Sequence, residues 1–340
     1  LGLVYRRHYP TRVPETARDC KRSPFHEHLM RERAFFTDVS GWESPAWYAP
    51  EGKKPEVEKL SWGRHNWFPY WEAEHRACRE GVIAMDMTFM GKFLVQGRDA
   101  GKVLDHISAN SVNGPVETIT YTQWLNERGL LEADVTVTKL TEEEFIVVVT
   151  DTMHRHVETW LRRHIPSDAH CFMTDITGGI GQLNVQGPRS RELLQSITSA
   201  DLSNEAFPFR TSRQIDIGYA LLQCNRITYV GELGYELNIP SEQAVHVYER
   251  VVEAGKDFGL RHAGLKALGS LRMEKGYRDY GHDIDNTDDA LETGLGFVVD
   301  LNKPDFIGKA YCVEKKAQGP AYDRRLLQVL VKDPEPLLYH

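Results

Sequence analysis

The chain has 340 residues, 41% of them hydrophobic, and its 49 acidic residues exceed its 41 Lys and Arg, which gives a formal net charge of −8. That length can bury one large core or several smaller ones, and the acidic balance argues against a general nucleic-acid or anionic-membrane surface. The best apolar run, Phe145-Ile-Val-Val-Val149, has the length of a strand rather than the roughly 20 residues of a membrane helix. The five cysteines are far apart, which favours a reducing compartment over a disulfide framework.

Residues 1–64 are rich in Pro, Arg, Trp and His, unlike the rest of the chain. Their prolines interrupt any long helix, so this segment predicts an irregular connector with one short helix over about 24–33. Ser23 suits the N-cap of that helix and Pro24 its first position. The chain starts with Leu1 rather than Met and stops just after a strand-like run, so we expect it to be a piece of a longer protein.

From Trp67 onward, hydrophobic periodicity predicts regular helices and strands. The predicted helices cover about 70–80, 99–108, 151–164, 189–197, a segment from Ser241 to Gly259, and 264–275. The predicted strands cover 83–95, 118–125, 131–140, 144–149 and 181–185, then a hairpin over 219–239 and strands near 296–300 and 326–331. Strands paired by hairpins and interspersed with helices indicate an antiparallel α+β protein.

Three polar motifs have ordinary explanations. Gly178-Gly-Ile-Gly181 lacks the third glycine of a dinucleotide fingerprint and precedes a strand rather than a helix. His154 and His156 lie two residues apart on a predicted helix and therefore point to different sides. The aspartates of Gly281-His-Asp-Ile-Asp285 are typical of turns that bond their own backbone. We therefore predict no metal site.

Two carboxylates lie beside turns. Asp134 shares a strand face with Glu132 and Thr136, opposite Val135, and periodicity alone leaves open whether that face meets solvent or a polar pocket. Glu236 lies just past a predicted hairpin turn, where charged residues are ordinary.

Six blocks in order resemble the aminomethyltransferase (glycine-cleavage T-protein) family, from about residue 67 to 331. They are Ala84-Met-Asp-Met-Thr-Phe-Met90, Leu125-Asn-Glu-Arg-Gly-Leu-Leu-Glu-Ala-Asp134, Asn184-Val-Gln-Gly-Pro188, Tyr229-Val-Gly-Glu-Leu-Gly-Tyr-Glu236, Leu271-Arg-Met-Glu-Lys-Gly276 and Tyr280-Gly-His-Asp-Ile-Asp285. The resemblance implies the α+β T-protein fold, with antiparallel sheets and flanking helices. It also implies a folate-binding domain over 65–315, after the connector of residues 1–64 and before an incomplete C-terminal β-barrel that starts within 316–340.

The connector is similar to one branch of these proteins. Lys21-Arg-Ser-Pro-Phe-His-Glu27, Gly41-Trp-Glu-Ser-Pro-Ala-Trp47 and Ala200-Asp-Leu-Ser-Asn-Glu-Ala-Phe-Pro-Phe209 resemble sarcosine and dimethylglycine dehydrogenases. The resemblance implies the C-terminal folate part of such an enzyme, with FAD only in a flavin domain outside this chain. That flavin domain and a small-molecule folate are the expected partners, without nucleic acid or membrane. The implied location is the mitochondrial matrix or the bacterial cytoplasm.

The resemblance also implies a mechanism. The flavin half would oxidise an N-methyl group of sarcosine or dimethylglycine, and tetrahydrofolate would capture the one-carbon unit as 5,10-methylenetetrahydrofolate. Asp134 is the implied catalytic residue, because an ionised carboxylate can orient the folate nitrogen and accept its proton. Tyr229 and Glu236 would contact the pterin, and Met90 and Tyr121 would pack against its ring.

Two alternatives stay open. One is a free-standing aminomethyltransferase. The connector argues against it, and so does Leu268, which occupies the position where that protein has an arginine. The other is a non-catalytic protein similar to the regulatory subunit of pyruvate dehydrogenase phosphatase. Retention of Asp134, Tyr229 and Glu236 together favours a working folate site.

Overall fold

The protein, described by a computed structural model, is organised around two sheets of different size. The structure describes residues 16, 18–58, 63–319 and 322–333. The strands are β1 (Ala34–Val39), β2 (Trp42–Tyr48), β3 (Ile83–Asp86), β4 (Gly91–Gln96), β5 (Ile119–Leu125), β6 (Leu131–Lys139), β7 (Glu144–Val149), β8 (Phe172–Asp175), β9 (Ile180–Gln186), β10 (Ser212–Ile217), β11 (Ala220–Asn225), β12 (Gly234–Pro240) and β13 (Arg261–His262). The α-helices are α1 (His26–Arg31), α2 (Phe68–Glu80), α3 (Ala100–Ile107), α4 (His154–His164), α5 (Ser190–Gln195), α6 (Ala244–Gly255), α7 (Leu265–Glu274) and α8 (Lys309–Ala317).

The larger sheet has the strand order β10-β11-β12-β9-β3-β13, and the smaller has the order β5-β6-β7-β4-β8. Neighbouring strands run antiparallel, apart from the parallel pair of β13 and β3. The α+β class with antiparallel sheets and flanking helices, predicted from the sequence, is therefore confirmed.

Each sheet buries apolar side chains against its own helices. In the smaller sheet, alternate residues of β6 such as Ala133 and Val135 form one core with Leu104 of α3 and Leu161 of α4. In the larger sheet, residues such as Leu237 of β12 pack with α5 and α6. Full burial of one such side chain stabilises the fold by about 1.5–3 kcal/mol. Because strand side chains alternate, the residues between these core positions face the other way.

The strand predicted over 83–95 is wrong as a single element, since β3 belongs to the larger sheet and β4 to the smaller one. The two are joined by residues 87–90, which we call the crossover segment. Asp86 is the last paired residue of β3, and its Oδ1 accepts a hydrogen bond from the Thr88 amide at 3.0 Å. Such a local side-chain bond competes with strand pairing. The hydrophobic pattern runs on without a break, so it gave no sign of the change of sheet.

The N-terminal segment is more regular than the predicted connector. It contains α1 and the β1–β2 hairpin, whose register shifts between Phe35 and Phe36. A bulge of this kind lets a strand accommodate a residue without a backbone N–H, and Pro45 lies in β2 opposite Phe36. Phe25 and Leu29 are completely buried in the same core as the larger sheet.

The C-terminal predictions fare less well. Residues Gly296–Val298 form a 3-10 turn rather than a strand, and α8 was not predicted. The described residues 322–333 contain no strand, so the strand predicted over 326–331 is wrong. The amide of Leu326 bonds the carbonyl of Glu292 at 3.1 Å, but Leu330 is 89% exposed. An extended segment becomes a strand only when a neighbour pairs with its backbone. The barrel predicted within 316–340 stays a prediction.

Candidate functional site

Asp134 is held between two side chains of the neighbouring strand. It lies on β6 directly opposite Gln123 of β5, on the face away from the core residue Val135. Gln123 Nε2 donates to Asp134 Oδ1 at 3.0 Å, and Tyr121 Oη donates to Oδ2 at 3.0 Å. Tyr121 reaches the carboxylate because residues two apart on a strand share a face. Both oxygens of Asp134 therefore have a donor.

The surroundings of Asp134 raise the pKa of its carboxyl to a value near neutral pH. Burial raises the pKa of its carboxyl from 3.8 to about 7, against the two hydrogen bonds from Tyr121 and Gln123, which lower it. Asp279 raises this pKa further, and Arg278 lowers it. A group with a pKa near 7 can both accept and return a proton at physiological pH. Burial and the adjacent Asp134 raise the pKa of Tyr121 far above its usual value, so this phenol stays a donor.

Tyr229 lies near this carboxylate. It occupies the loop between β11 and β12, where its Oη donates to the carbonyl of Arg278 at 2.5 Å and its ring stacks on Tyr277 at 6.1 Å. Burial raises its pKa first, and the charges of Asp279 and Asp134 add to the effect. Tyr121, Asp134 and Tyr229 thus form one electrostatically connected group.

Glu236, the second predicted carboxylate, lies in the larger sheet. It lies on β12 directly opposite Asn184 of β9, whose Nδ2 donates to Glu236 Oε1 at 3.3 Å. Burial raises the pKa of Glu236 to about 7, while the charge of Lys92 and the bond from Asn184 lower it. Met85 of β3 pairs with the other side of Asn184, so the three residues form one row across the sheet.

The crossover segment joins the sheet that carries Asp134 to the sheet that carries Glu236. Gly91 of β4 pairs with Val149 of β7, and Val149 pairs with Val135 of β6. Met90 and Asp134 each precede a residue of this row by one position in the sequence. Met90 ends the same crossover segment that follows Met85 of the Glu236 row. Its side chain is half-buried and packs against the cluster that contains Met85.

Buried polar atoms without partners lie beside both carboxylates. Gln123 Oε1 and Gln182 Oε1 have no hydrogen-bond partner, although Gln123 is 0% and Gln182 is 2% exposed. Gln182 Nε2 donates to Asn184 Oδ1 at 3.2 Å, in the chain of bonds that leads to Glu236. A buried acceptor without a donor costs about 1–3 kcal/mol. These oxygens therefore suit a ligand that supplies N–H groups.

Other acidic and imidazole residues of the motifs have separate partners. Glu232 bonds Arg79 at 3.1 Å in an ion pair. His154 contacts Asp175 at 2.9 Å and His156 contacts Glu132 at 2.9 Å, so the two imidazoles do not converge. Among the described residues, no group of three or more His, Cys, Asp and Glu side chains is arranged to hold a metal ion.

The wider surface has a groove of about 780 Å³ between α2 and α7, lined by residues that include Trp71, His75 and Ser270. None of the five predicted site residues lines it. Leu268, on α7, packs in the cluster that contains Met85 and Leu271. Along the described residues, no helix combines the length and apolar character needed to cross a membrane.

Sequence reasoning missed three residues that contact the predicted site. Gln123 and Asn184 depend on strand register, for which the sequence offers no local signal. Lys92 is different, because a lysine inside the apolar run of β4 is itself a signal of a buried charge. It is 1% exposed.

Comparison with known proteins agrees with this architecture. The model of the GCVT N-terminal domain family matches residues 25–303. The 4-methylaminobutanoate oxidase (formaldehyde-forming) of Paenarthrobacter nicotinovorans is 37% identical over 341 residues, which cover 100% of this chain and 41% of that protein. Mitochondrial sarcosine dehydrogenase of Homo sapiens is 32% identical over 370 residues, covering 97% of this chain and 40% of that protein.

The solved structure of glycine cleavage system aminomethyltransferase T from Bartonella henselae superposes with a TM-score of 0.74 at 22% identity, over 89% of this chain and 76% of that one. This likeness establishes the T-protein fold that the sequence predicted. The chain spans about two fifths of the length of the two curated relatives. Since the family model covers most of the sequence, the chain belongs to the GCVT N-terminal domain family.

Proposed function

We propose that this chain binds tetrahydrofolate and accepts a one-carbon unit released from an oxidised N-methyl group, to form 5,10-methylenetetrahydrofolate. The observation that most supports this function is the Asp134 carboxylate, bonded by Tyr121 and Gln123 and brought to a pKa of about 7. The names of the relatives support the oxidation of an N-methyl group, since they include a sarcosine dehydrogenase and a formaldehyde-forming methylaminobutanoate oxidase.

The residues present fit such a ligand. Tetrahydrofolate has N–H donors along its amino-pyrimidine edge, and the unpartnered oxygens of Gln123 and Gln182 lie beside the two carboxylates. When bound, the folate supplies the nucleophilic nitrogens that capture the one-carbon unit. Asp134 binds and orients one of these nitrogens and accepts the proton that it loses.

The second carboxylate would bind the other end of the ligand. Glu236 accepts two N–H bonds from the amino-pyrimidine edge, a pairing that only an ionised carboxylate makes fully. Tyr229 contacts the pterin, while Met90 and Tyr121 pack against its flat ring. This assignment requires Asp134 and Glu236 to face one shared cavity on the two sides of the crossover segment.

The one-carbon unit would come from a flavin domain of the same full-length protein, which holds FAD outside this chain. The substrate class is an N-methylated amino acid, with sarcosine and dimethylglycine as the two expected members. The relatives named mitochondrial fit the mitochondrial matrix, and the relative from Paenarthrobacter nicotinovorans fits a bacterial cytoplasm. All five cysteines are free, which fits a reducing compartment.

Calorimetric titration of tetrahydrofolate onto the purified chain tests the proposal. We expect binding by the wild type, loss of binding in Glu236→Ala, and retained pterin binding with slower one-carbon capture in Asp134→Asn. Glu232→Gln is the matched control, because Glu232 belongs to the same sequence block but bonds Arg79 and Lys275.

Absence of binding to the wild type at any pH would contradict the proposal. It would favour the non-catalytic alternative, a protein similar to the pyruvate dehydrogenase phosphatase regulatory subunit. Transfer from a lipoyl-bound aminomethyl donor would instead identify a free-standing aminomethyltransferase.

A further inference from the structure

Lys92 is a buried cation behind the predicted folate site. It lies on β4 and is 1% exposed, in a strand whose neighbours Gly91 and Phe93 are also buried. Its Nζ donates to the carbonyls of Thr88 at 3.2 Å and Met90 at 2.9 Å. Both acceptors belong to the crossover segment, so one ammonium group fixes two points of the link between the sheets.

The charges of three carboxylates act on this cation, and a thiol lies close to one of the three. The charges of Asp86 on β3, Glu236 on β12 and Asp175 on β8 act on Lys92 and partly offset the effect of burial, which lowers its pKa to about 7. The thiol of Cys224 on β11 lies close enough to Glu236 for their charges to interact. A buried ammonium is stable only when such acceptors and charges compensate for its lost hydration.

Two of these carboxylates have strong donors of their own. Asp86 accepts hydrogen bonds from Ser23 Oγ at 2.5 Å and from the Thr88 amide at 3.0 Å. Asp175 contacts His154 Nε2 at 2.9 Å. Hydrogen bonds to the charged form lower the pKa of a carboxylate. The pKa of Asp175 is lowered in this way, whereas burial still leaves that of Asp86 raised.

Glu236 lacks such support. Within the described parts of the chain its carboxylate receives a single hydrogen bond, the 3.3 Å bond from Asn184. Of the two influences that lower its pKa, the charge of Lys92 is larger than the bond from Asn184. Lys92 therefore favours the ionised form of Glu236 more than Asn184 does.

We propose that Lys92 is a positioning residue of the pterin site, which holds the crossover segment in place and keeps Glu236 in the ionised form that binds the ligand. This inference rests on the proposed folate function. Lys92 acts through Met90 and Glu236, and it does not itself touch the ligand.

The first test needs no ligand. We would follow the side-chain carboxyl resonances of 13C-labelled glutamate against pH, and identify Glu236 by the signal lost in Glu236→Gln. In Lys92→Met the pKa of Glu236 should rise by about one unit, a tenfold change in its protonation equilibrium. An unchanged Glu236 titration would overturn the inference.

The second test measures tetrahydrofolate affinity against pH. Lys92→Met should bind about fivefold more weakly than wild type at pH 7, with a deficit that approaches about tenfold at pH 6 and recovery towards pH 9, where Glu236 ionises unaided. A deficit that is equal at every pH would overturn the electrostatic role, because loss of packing alone does not depend on pH.

A second buried lysine provides the control. Lys303 is 4% exposed and donates to the carbonyls of Asp105, Ser108 and Asn110. The charges that act on Lys303 are those of Asp105, Asp300 and Asp305, and Glu236 is not among them. Lys303→Met should leave both the Glu236 titration and the pH profile of binding unchanged. A similar shift in this variant would contradict a specific role for Lys92.

The two proposals fail in different ways. If the wild type binds no folate, the proposed function fails, while the Glu236 titration still tests the action of Lys92. If Lys92→Met does not fold, the reciprocal variant Glu236→Gln serves instead. Because coupling between two titrating groups is mutual, Lys92 should lose its proton at lower pH in that variant. An unchanged Lys92 titration would overturn the inference.

Discussion

Gln123 and Asp134 face each other across the β5–β6 pair, and the amide of Gln123 donates to the Asp134 carboxylate at 3.0 Å. The partner of this acid is thus set by strand register, while its second donor, Tyr121, comes from the same face of β5. A rigid sheet rather than a loop holds all three groups. Such support suits a group whose position must be kept to a fraction of an ångström.

Replacement of Tyr121 by Phe should shift the pH dependence of folate capture. The phenol bond lowers the pKa of Asp134, so its loss should raise that pKa above about 7 and weaken catalysis at pH 7 more than at pH 9. The rate of 5,10-methylenetetrahydrofolate formation from formaldehyde and tetrahydrofolate, measured against pH, checks this. A uniform loss at every pH would indicate that Tyr121 acts only by packing.

Replacement of Asp134 by Asn should stabilise the fold at high pH. Because the pKa of Asp134 rises from 3.8 to about 7 on folding, the folded state binds more protons, and the free energy of unfolding falls as pH rises through that window. Removal of the ionised group should therefore raise the free energy of unfolding at pH 8 by about 1–2 kcal/mol, a value discounted for partial solvent screening.

Urea denaturation of both forms at pH 4 and pH 8 measures this difference. The two forms should be nearly equal at pH 4, where the carboxyl is mostly protonated. Gln123 can turn its amide so that its oxygen accepts from the new Asn. A stabilisation that is the same at both pH values would contradict the electrostatic explanation.

Gly129 should tolerate no side chain, because it combines a φ of +73° with close packing. An added Cβ would lie 2.0 Å from Tyr311 Cδ1, whereas at Gly52, with a φ of +76°, nothing lies within 4 Å. Gly52→Ala should cost about 1–2 kcal/mol for its left-handed backbone. Gly129→Ala should cost about 1–3 kcal/mol more, because the ring of Tyr311 must move. Urea denaturation curves of the two variants compare them directly.

Glu74 should be more important for stability than its place on a surface helix suggests. It is 3% exposed, and its two oxygens accept from the amides of Tyr48 at 2.7 Å and Gly264 at 2.9 Å. Burial raises its pKa to about 8. Glu74→Ala leaves two buried donors without acceptors and should cost about 2–6 kcal/mol in total.

Glu74→Gln is the matched variant, since its one carbonyl oxygen satisfies one of the two amides. It should recover about half of that loss, as judged by thermal unfolding at pH 7. Equal losses in both variants would show that packing rather than hydrogen bonding decides the effect.

Local patterns were sufficient for much of the smaller sheet. The alternation of apolar and polar residues around Asp134 indicated both β6 and the face on which the acid lies, and the turn at Gly129 marked where the strand begins. These features depend on neighbours in the sequence. The short turns of β5, β6 and β7 then fix their order, because each strand pairs with the next.

The partners of Glu236 could not be found in this way. Asn184 lies 52 residues earlier, and Lys92 belongs to the other sheet. Their approach depends on which strand follows which in the larger sheet, a choice made by tertiary packing. The resemblance to a known family pointed to Glu236 but gave no indication of Asn184 or Lys92. The division of residues 83–95 between two sheets was missed for the same reason.

The short crossover segment has a mechanical consequence. Because residues 87–90 join the two sheets over only four residues, and Lys92 bonds two of their carbonyls, movement of one sheet relative to the other must strain this segment. A ligand that contacts both sheets would restrict movement at the crossover segment. The amide hydrogens of Thr88 and Phe89 should then exchange with deuterium more slowly when the ligand is bound. Their exchange rates would therefore measure ligand binding at the crossover segment.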